Sequence, residues 1–110
     1  MFLWRCGVCG FTNEYDEAPD VCPKCGAPKE KFVKLTDEEA QKVYSSDRTN
    51  DIHMEIISLT MAIVELAQEG IDLDLDPPCV ATFQKAIEKA WTIKQDCKAE
   101  LAGHMNKGKW

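Results

Sequence analysis

Residues 4–32 read WRCGVCGFTNEYDEAPDVCPKCGAPKEKF and hold four of the chain's six cysteines. They form two nearly identical turns, Cys6-Gly-Val-Cys9-Gly10 and Cys22-Pro-Lys-Cys25-Gly26. A C-x-x-C turn folds so that both sulfurs converge, and two such turns supply the four soft ligands of a tetrahedral ion about 2.3 Å away. The amides inside each turn then point at sulfur. Cys6 is expected to accept from Val8 and Cys9, and Cys9 from Phe11; likewise Cys22 from Lys24 and Cys25, and Cys25 from Ala27. These bonds stabilise thiolate charge and tune a bound metal. Gly10 and Gly26 give the chain a positive-φ exit. Zinc and iron are equally well served by four thiolates, so spacing alone leaves both open.

Working outward, residues 1–35 are loop-rich, with short extended pieces near Phe2–Arg5 and Phe32–Leu35, and form the first expected domain. So few residues bury too little apolar surface to fold unaided, and the metal is the staple. Paired C-x-x-C turns without an export signal favour metal thiolates in a reducing cytoplasm over disulfides. Cys79 and Cys97 lie apart from the turns and read as small apolar core residues. No apolar run reaches membrane-spanning length and the N-terminus has no leader pattern, so a soluble cytoplasmic protein is expected.

The 110 residues carry a net charge of -6. Residues 1–35 are balanced, so the excess acid lies in residues 36–110, the second expected domain. That field repels phosphate backbones and anionic headgroups, which argues against nucleic acid or membrane as a partner and for a basic protein.

Thr36-Asp-Glu-Glu39 is a capping box and starts a short helix through about Tyr44. Ser45-Ser46-Asp47 offers a fresh N-cap for a long helix. Ile52, Ile56, Leu59, Ile63 and Leu66 step by four and three along it, as in a helix packed along its length. Gly70 is the expected stop. Asp72, Asp74 and Asp76 in IDLDLDPP suggest a calcium loop, but Pro77 and Phe83 occupy the places where that loop needs Gly and a bidentate acid. A turn whose Ile71, Leu73 and Leu75 cap the bundle end is expected instead. Pro77 and Pro78 suit a helix start. Val80, Phe83, Ile87, Ala90, Lys94, Cys97 and Leu101 then keep the same step until Gly103. The fold class is thus α+β and mostly α, with a small metal domain followed by an antiparallel helical hairpin. Ile57, Met61 and Val64 form a second flank on the first long helix. One hairpin cannot cover both rows, so either the metal domain folds back over the second or two copies pair into a homodimeric four-helix bundle, and the dimer is the expectation.

The sequences WRCGVCGF and CPKCGAPKEKF resemble the rubredoxin family. The twelve-residue gap is similar to that of the short rubredoxin-like domain of rubrerythrins. Over residues 2–35 the resemblance implies a three-stranded fold, an aromatic core of Trp4, Phe11 and Phe32, and one iron on Cys6, Cys9, Cys22 and Cys25. Val8 fits the exposed aliphatic residue usual in each rubredoxin knuckle, whereas Lys24 replaces it in the second. An ion enclosed by four thiolates has no open position for substrate, so a one-electron carrier with a redox partner protein is expected.

Rubrerythrins add a di-iron helical bundle, which needs Glu-x-x-His pairs. None occurs here. His53, Glu55, Glu100 and His104 fall toward one end of the hairpin and constitute a weak candidate for a second metal. Met54, Met61 and Met105 read as packing residues. Two alternatives accompany the carrier: a rubrerythrin-like peroxide or oxygen reductase with a further bundle metal, and a zinc ribbon stapling an interaction module.

Overall fold

Strand β1 (Phe2–Cys6) lies at the centre of a three-stranded antiparallel sheet, between β2 (Thr12–Tyr15) and β3 (Phe32–Lys34). Trp4 pairs with Asn13 on one side and Lys34 on the other. The computed structural model describes residues 1–110 and falls into two compact units, Met1–Tyr44 and Ser45–Trp110.

In the first unit the core is small. Cys6, Ala18, Cys22 and Phe32 are buried together, with Trp4, Phe11 and Ala27 packed against them. Alternation along β1 sends Leu3 to the other face, where it is buried, as is Leu35. The Leu35 N–H donates to the Leu3 carbonyl at 2.9 Å.

Helix α1 (Asp37–Leu73) opens on the expected capping box. The Thr36 N–H donates to Glu39 Oε1 at 3.1 Å, and the Glu39 N–H to Thr36 Oγ1 at 3.2 Å. The Thr36 amide, then its hydroxyl, hold the Glu39 carboxyl below its ordinary pKa. Within this unit the Tyr44 hydroxyl donates to Glu14 Oε1 at 2.9 Å, tying the helix start to β2.

The expected break at Ser45-Ser46-Asp47 does not occur; the short helix and the long one are a single 37-residue element. No Pro or Gly lies between Thr36 and Gly70 to interrupt the ladder. Ser46 serves tertiary structure rather than a cap: it is buried, and its hydroxyl donates to the Lys109 carbonyl at 2.8 Å. Gly70 does not stop the helix either. It is buried where the Phe83 ring crosses, and a Cβ there would collide with that ring. The exit comes at Asp74, whose φ is 49°, with its N–H on the Ile71 carbonyl at 3.0 Å.

Asp76 caps helix α2 (Pro77–Asn106) by accepting from the Cys79 N–H at 2.9 Å, with the two prolines in the first turn. Helix α2 runs past Gly103. Its left-handed exit is Gly108, at φ 73°, and the Lys109 N–H closes on the His104 carbonyl at 2.8 Å.

The row expected on α2 is the one that is covered: Ala90, Cys97 and Leu101 are buried, and Val80, Phe83, Ile87 and Lys94 half-buried. On α1 the covered row lies one residue from the expected one. Ser46, Asn50, Thr60, Ala67 and Gly70 are buried, with His53, Ile57, Val64 and Ile71 half-buried between them. Small and polar side chains here let α2 approach closely. The bulkier row is largely outside: Ile52, Leu59, Ile63 and Leu66 are exposed and Ile56 half-buried. Leu73 and Leu75, expected to cap the hairpin end, are also exposed. No helix is long and apolar enough to cross a membrane.

Candidate metal centre

The two cysteine turns have the same backbone bonding. Cys6 N–H donates to the Phe11 carbonyl and Cys22 N–H to the Ala27 carbonyl, each at 2.8 Å. Gly10 and Gly26 close the turns onto the carbonyls of Cys6 and Cys22, each at 2.9 Å, with φ of 82° and 76°. Only glycine adopts such φ values without strain. Gly7 approaches the chain after the second turn, donating to the Lys31 carbonyl at 2.8 Å.

All four sulfurs lie within 4.8 Å of one another. Across the turns Cys6 Sγ is 3.7 Å from Cys25 Sγ, and Cys9 Sγ is 3.6 Å from Cys22 Sγ. A tetrahedron with metal–sulfur bonds of about 2.3 Å has edges of about 3.8 Å. The quartet therefore fits one mononuclear ion. Cys6 and Cys22 are buried, while Cys9 and Cys25 face outward.

Amide donors surround the sulfurs. Val8 and Cys9 donate to Cys6, Lys24 and Cys25 to Cys22, and Ala27 to Cys25. Phe11 N–H donates to Cys9 Sγ at 3.4 Å. The Cys9 amide, followed by that of Val8, outweighs burial and holds the Cys6 thiol below its ordinary value. At Cys22, burial works against ionisation but the amides of Cys25 and Lys24 prevail, giving about 7. At Cys25 the Ala27 amide favours the thiolate, yet burial and the three neighbouring sulfurs together push it up to about 12. Four thiols this close cannot all ionise without a cation among them.

Residues 4–33 match the family model described as the rubrerythrin rubredoxin-like domain. This segment is a rubredoxin-like domain of the rubrerythrin type. The chain is 49% identical over 38 residues to reverse rubrerythrin-1 of Clostridium acetobutylicum, covering 34% of this chain and 21% of that protein. It is 47% identical over 32 residues to rubrerythrin of Nitratidesulfovibrio vulgaris, covering 29% of this chain and 17% of that protein. The chain thus matches about a fifth of the length of these curated relatives. No solved structure matches significantly.

The four cysteines are the one group of three or more His, Cys, Asp or Glu whose ligand atoms come close enough to share an ion. The second candidate set is split. Glu55 is on the surface beside Arg48, at 3.5 Å. His53 and His104 stack edge to face with centroids 6.2 Å apart. Asn50 Nδ2 donates to the Lys109 carbonyl at 2.8 Å, which fixes the amide's orientation. Asn50 Oδ1 then accepts from His104 Nδ1 at 2.6 Å, while Glu100 Oε1 lies 3.2 Å from Nε2. Both ring nitrogens of His104 therefore face acceptors. Sequence reasoning missed this role for Ser46 and Asn50, since their partner lies about sixty residues away in the chain. His53 Nδ1 is buried without a hydrogen-bond partner.

Proposed function

We propose that the chain is a one-electron carrier whose rubredoxin-like domain holds a single iron on Cys6, Cys9, Cys22 and Cys25. The supporting observation is the sulfur quartet itself, with tetrahedral spacing, six amide donors and a match to an iron-family domain. Iron bound there would shuttle between the ferric and ferrous states. The protein's part is to hold four sulfurs in a geometry that serves both charges, so that little rearrangement accompanies transfer. Amides directed at sulfur offset the added negative charge of the reduced state. Phe32, Trp4 and Phe11 keep water from the inner pair, and Cys9 and Cys25 face the surface where a redox partner would dock. Exposed Val8 and Lys24 flank that surface, so it presents one apolar and one charged side chain. The hairpin serves as a module for self-association or partner docking.

Elemental analysis and a visible spectrum of anaerobically purified native protein test this. One iron per chain and a red colour that bleaches on reduction and returns in air are expected. A colourless protein carrying one zinc per chain overturns the carrier role and leaves a structural ribbon. More than one iron per chain would favour a reductase with a bundle metal.

A further inference from the structure

The hairpin has two unlike sides. Lys94 Nζ lies 3.3 Å from Met61 Sδ and 4.5 Å from the Trp91 ring centroid. Met61 and Trp91 each follow a covered residue, Thr60 and Ala90, so the rows one place after the seam share this side. The rows one place before the seam share the other. On α1 that row is Ile52, Ile56, Leu59, Ile63 and Leu66; on α2 it is Thr82, Ala86, Lys89, Ile93, Asp96 and Glu100. Leu59 and Leu66 are 64% and 67% exposed. One residue of offset is a rotation of about 100°, so on α1 the bulky apolar row stands at nearly a right angle to the narrow row that α2 covers. A helix in a four-helix bundle meets two neighbours in this way, and this hairpin supplies only one.

From this we infer that a second copy of the chain covers the Ile52–Leu66 row, its α2 lying antiparallel on α1 about a two-fold axis parallel to the helices. Charge selects this partner. From Ser45 to Leu73, α1 carries six acidic residues and one basic; α2 carries four lysines and three acids. A two-fold axis along the helices keeps the levels fixed within each hairpin, where Gly70 sits on Phe83 and Asn50 on His104. Glu69, one place before Gly70 and so at the edge of this face, then comes level with Lys85 of the second copy. Packing α1 on α1 would instead oppose acid to acid. The area is sufficient. The face runs about 32 Å from Ile52 to Leu73 and is about 20 Å wide, so two copies bury about 1,300 Å², within the range of stable interfaces.

The proposal deepens the docking role given to the hairpin and is independent of the metal. Sedimentation of the full chain between about 1 and 100 μM tests it. A dimer is expected. Leu59→Glu and Leu66→Glu should each raise its dissociation constant by at least about thirty-fold, with helical circular dichroism retained because both side chains are exposed. Gln95→Glu, on the Trp91 side, should change it little. Glu69→Lys should weaken the dimer, and adding Lys85→Glu should restore it. A monomer throughout the range, or a dimer indifferent to both leucine substitutions, overturns the interface. A red, reducible monomer would leave the carrier standing, whereas a colourless dimer would remove the carrier and leave the interface.

Discussion

The metal domain and the hairpin are held together in opposite ways. In residues 1–44 the buried core is built around two of the four sulfurs, and apolar burial is slight. In residues 45–110 two helices meet over a seam of Ser, Asn, Thr, Ala and Gly on α1, with several of the larger aliphatic side chains outside it. In the first region cohesion comes from coordination. In the second it comes from close approach of backbones and from a polar cluster at the hairpin end. The comparison implies that the two regions fail under different insults.

The largest expected effect follows from removing a ligand. Cys22→Ser should abolish stoichiometric metal binding and unfold residues 1–35, while far-ultraviolet dichroism keeps most of its helical signal. Loss of the whole signal would show that the two regions are one cooperative unit. Protons give a milder form of the same attack. Amide donors lower the Cys22 pKa to about 7, so above that pH its thiolate is available to metal, and below it a proton must be displaced. Cys25, pushed up to about 12, must lose a proton to the metal throughout the neutral range, and Cys22 adds a second below about 7. Metal affinity of the reduced apoprotein should therefore fall as pH falls and do so more steeply below about 7, by up to tenfold per unit for each competing proton. A titration with cobalt(II) at successive pH values would measure this, and a flat profile would contradict the assignment.

The hairpin should ignore metal removal but feel the loss of Asn50. Asn50→Ala leaves the Lys109 carbonyl with one donor fewer and His104 Nδ1 without its acceptor, and should cost about 1–3 kcal/mol in urea unfolding. No change would mean that the polar cluster is incidental. The smallest expected effect is at the cap. Thr36→Ala removes one of two reciprocal bonds and should cost about 1 kcal/mol.

Legibility divided along the same line. The metal turns are local: each sulfur, its amide donors and the exit glycine lie within a few residues, so C-x-x-C-G specifies them. Strand β2 was harder to see, because Thr12-Asn-Glu-Tyr15 is a mostly polar edge segment defined by its pairing with β1. On α2 the large apolar row and the covered row coincide. On α1 they do not, since periodicity in hydrophobicity favours the bulkier of two adjacent rows, while the partner helix chose the row narrow enough to admit it. The bond from Ser46 to Lys109 is invisible locally, and Ser45-Ser46-Asp47 therefore resembled a cap.

The amide donors are unevenly shared. Cys6 and Cys22 each receive two N–H groups, whereas Cys9 and Cys25 each receive one and face solvent. Whatever ion is bound, the outward sulfurs keep more unquenched charge and are the ones a reagent reaches first. Chelators and mercurials should therefore strip the centre from its open rim inward, along the side that any electron would also use.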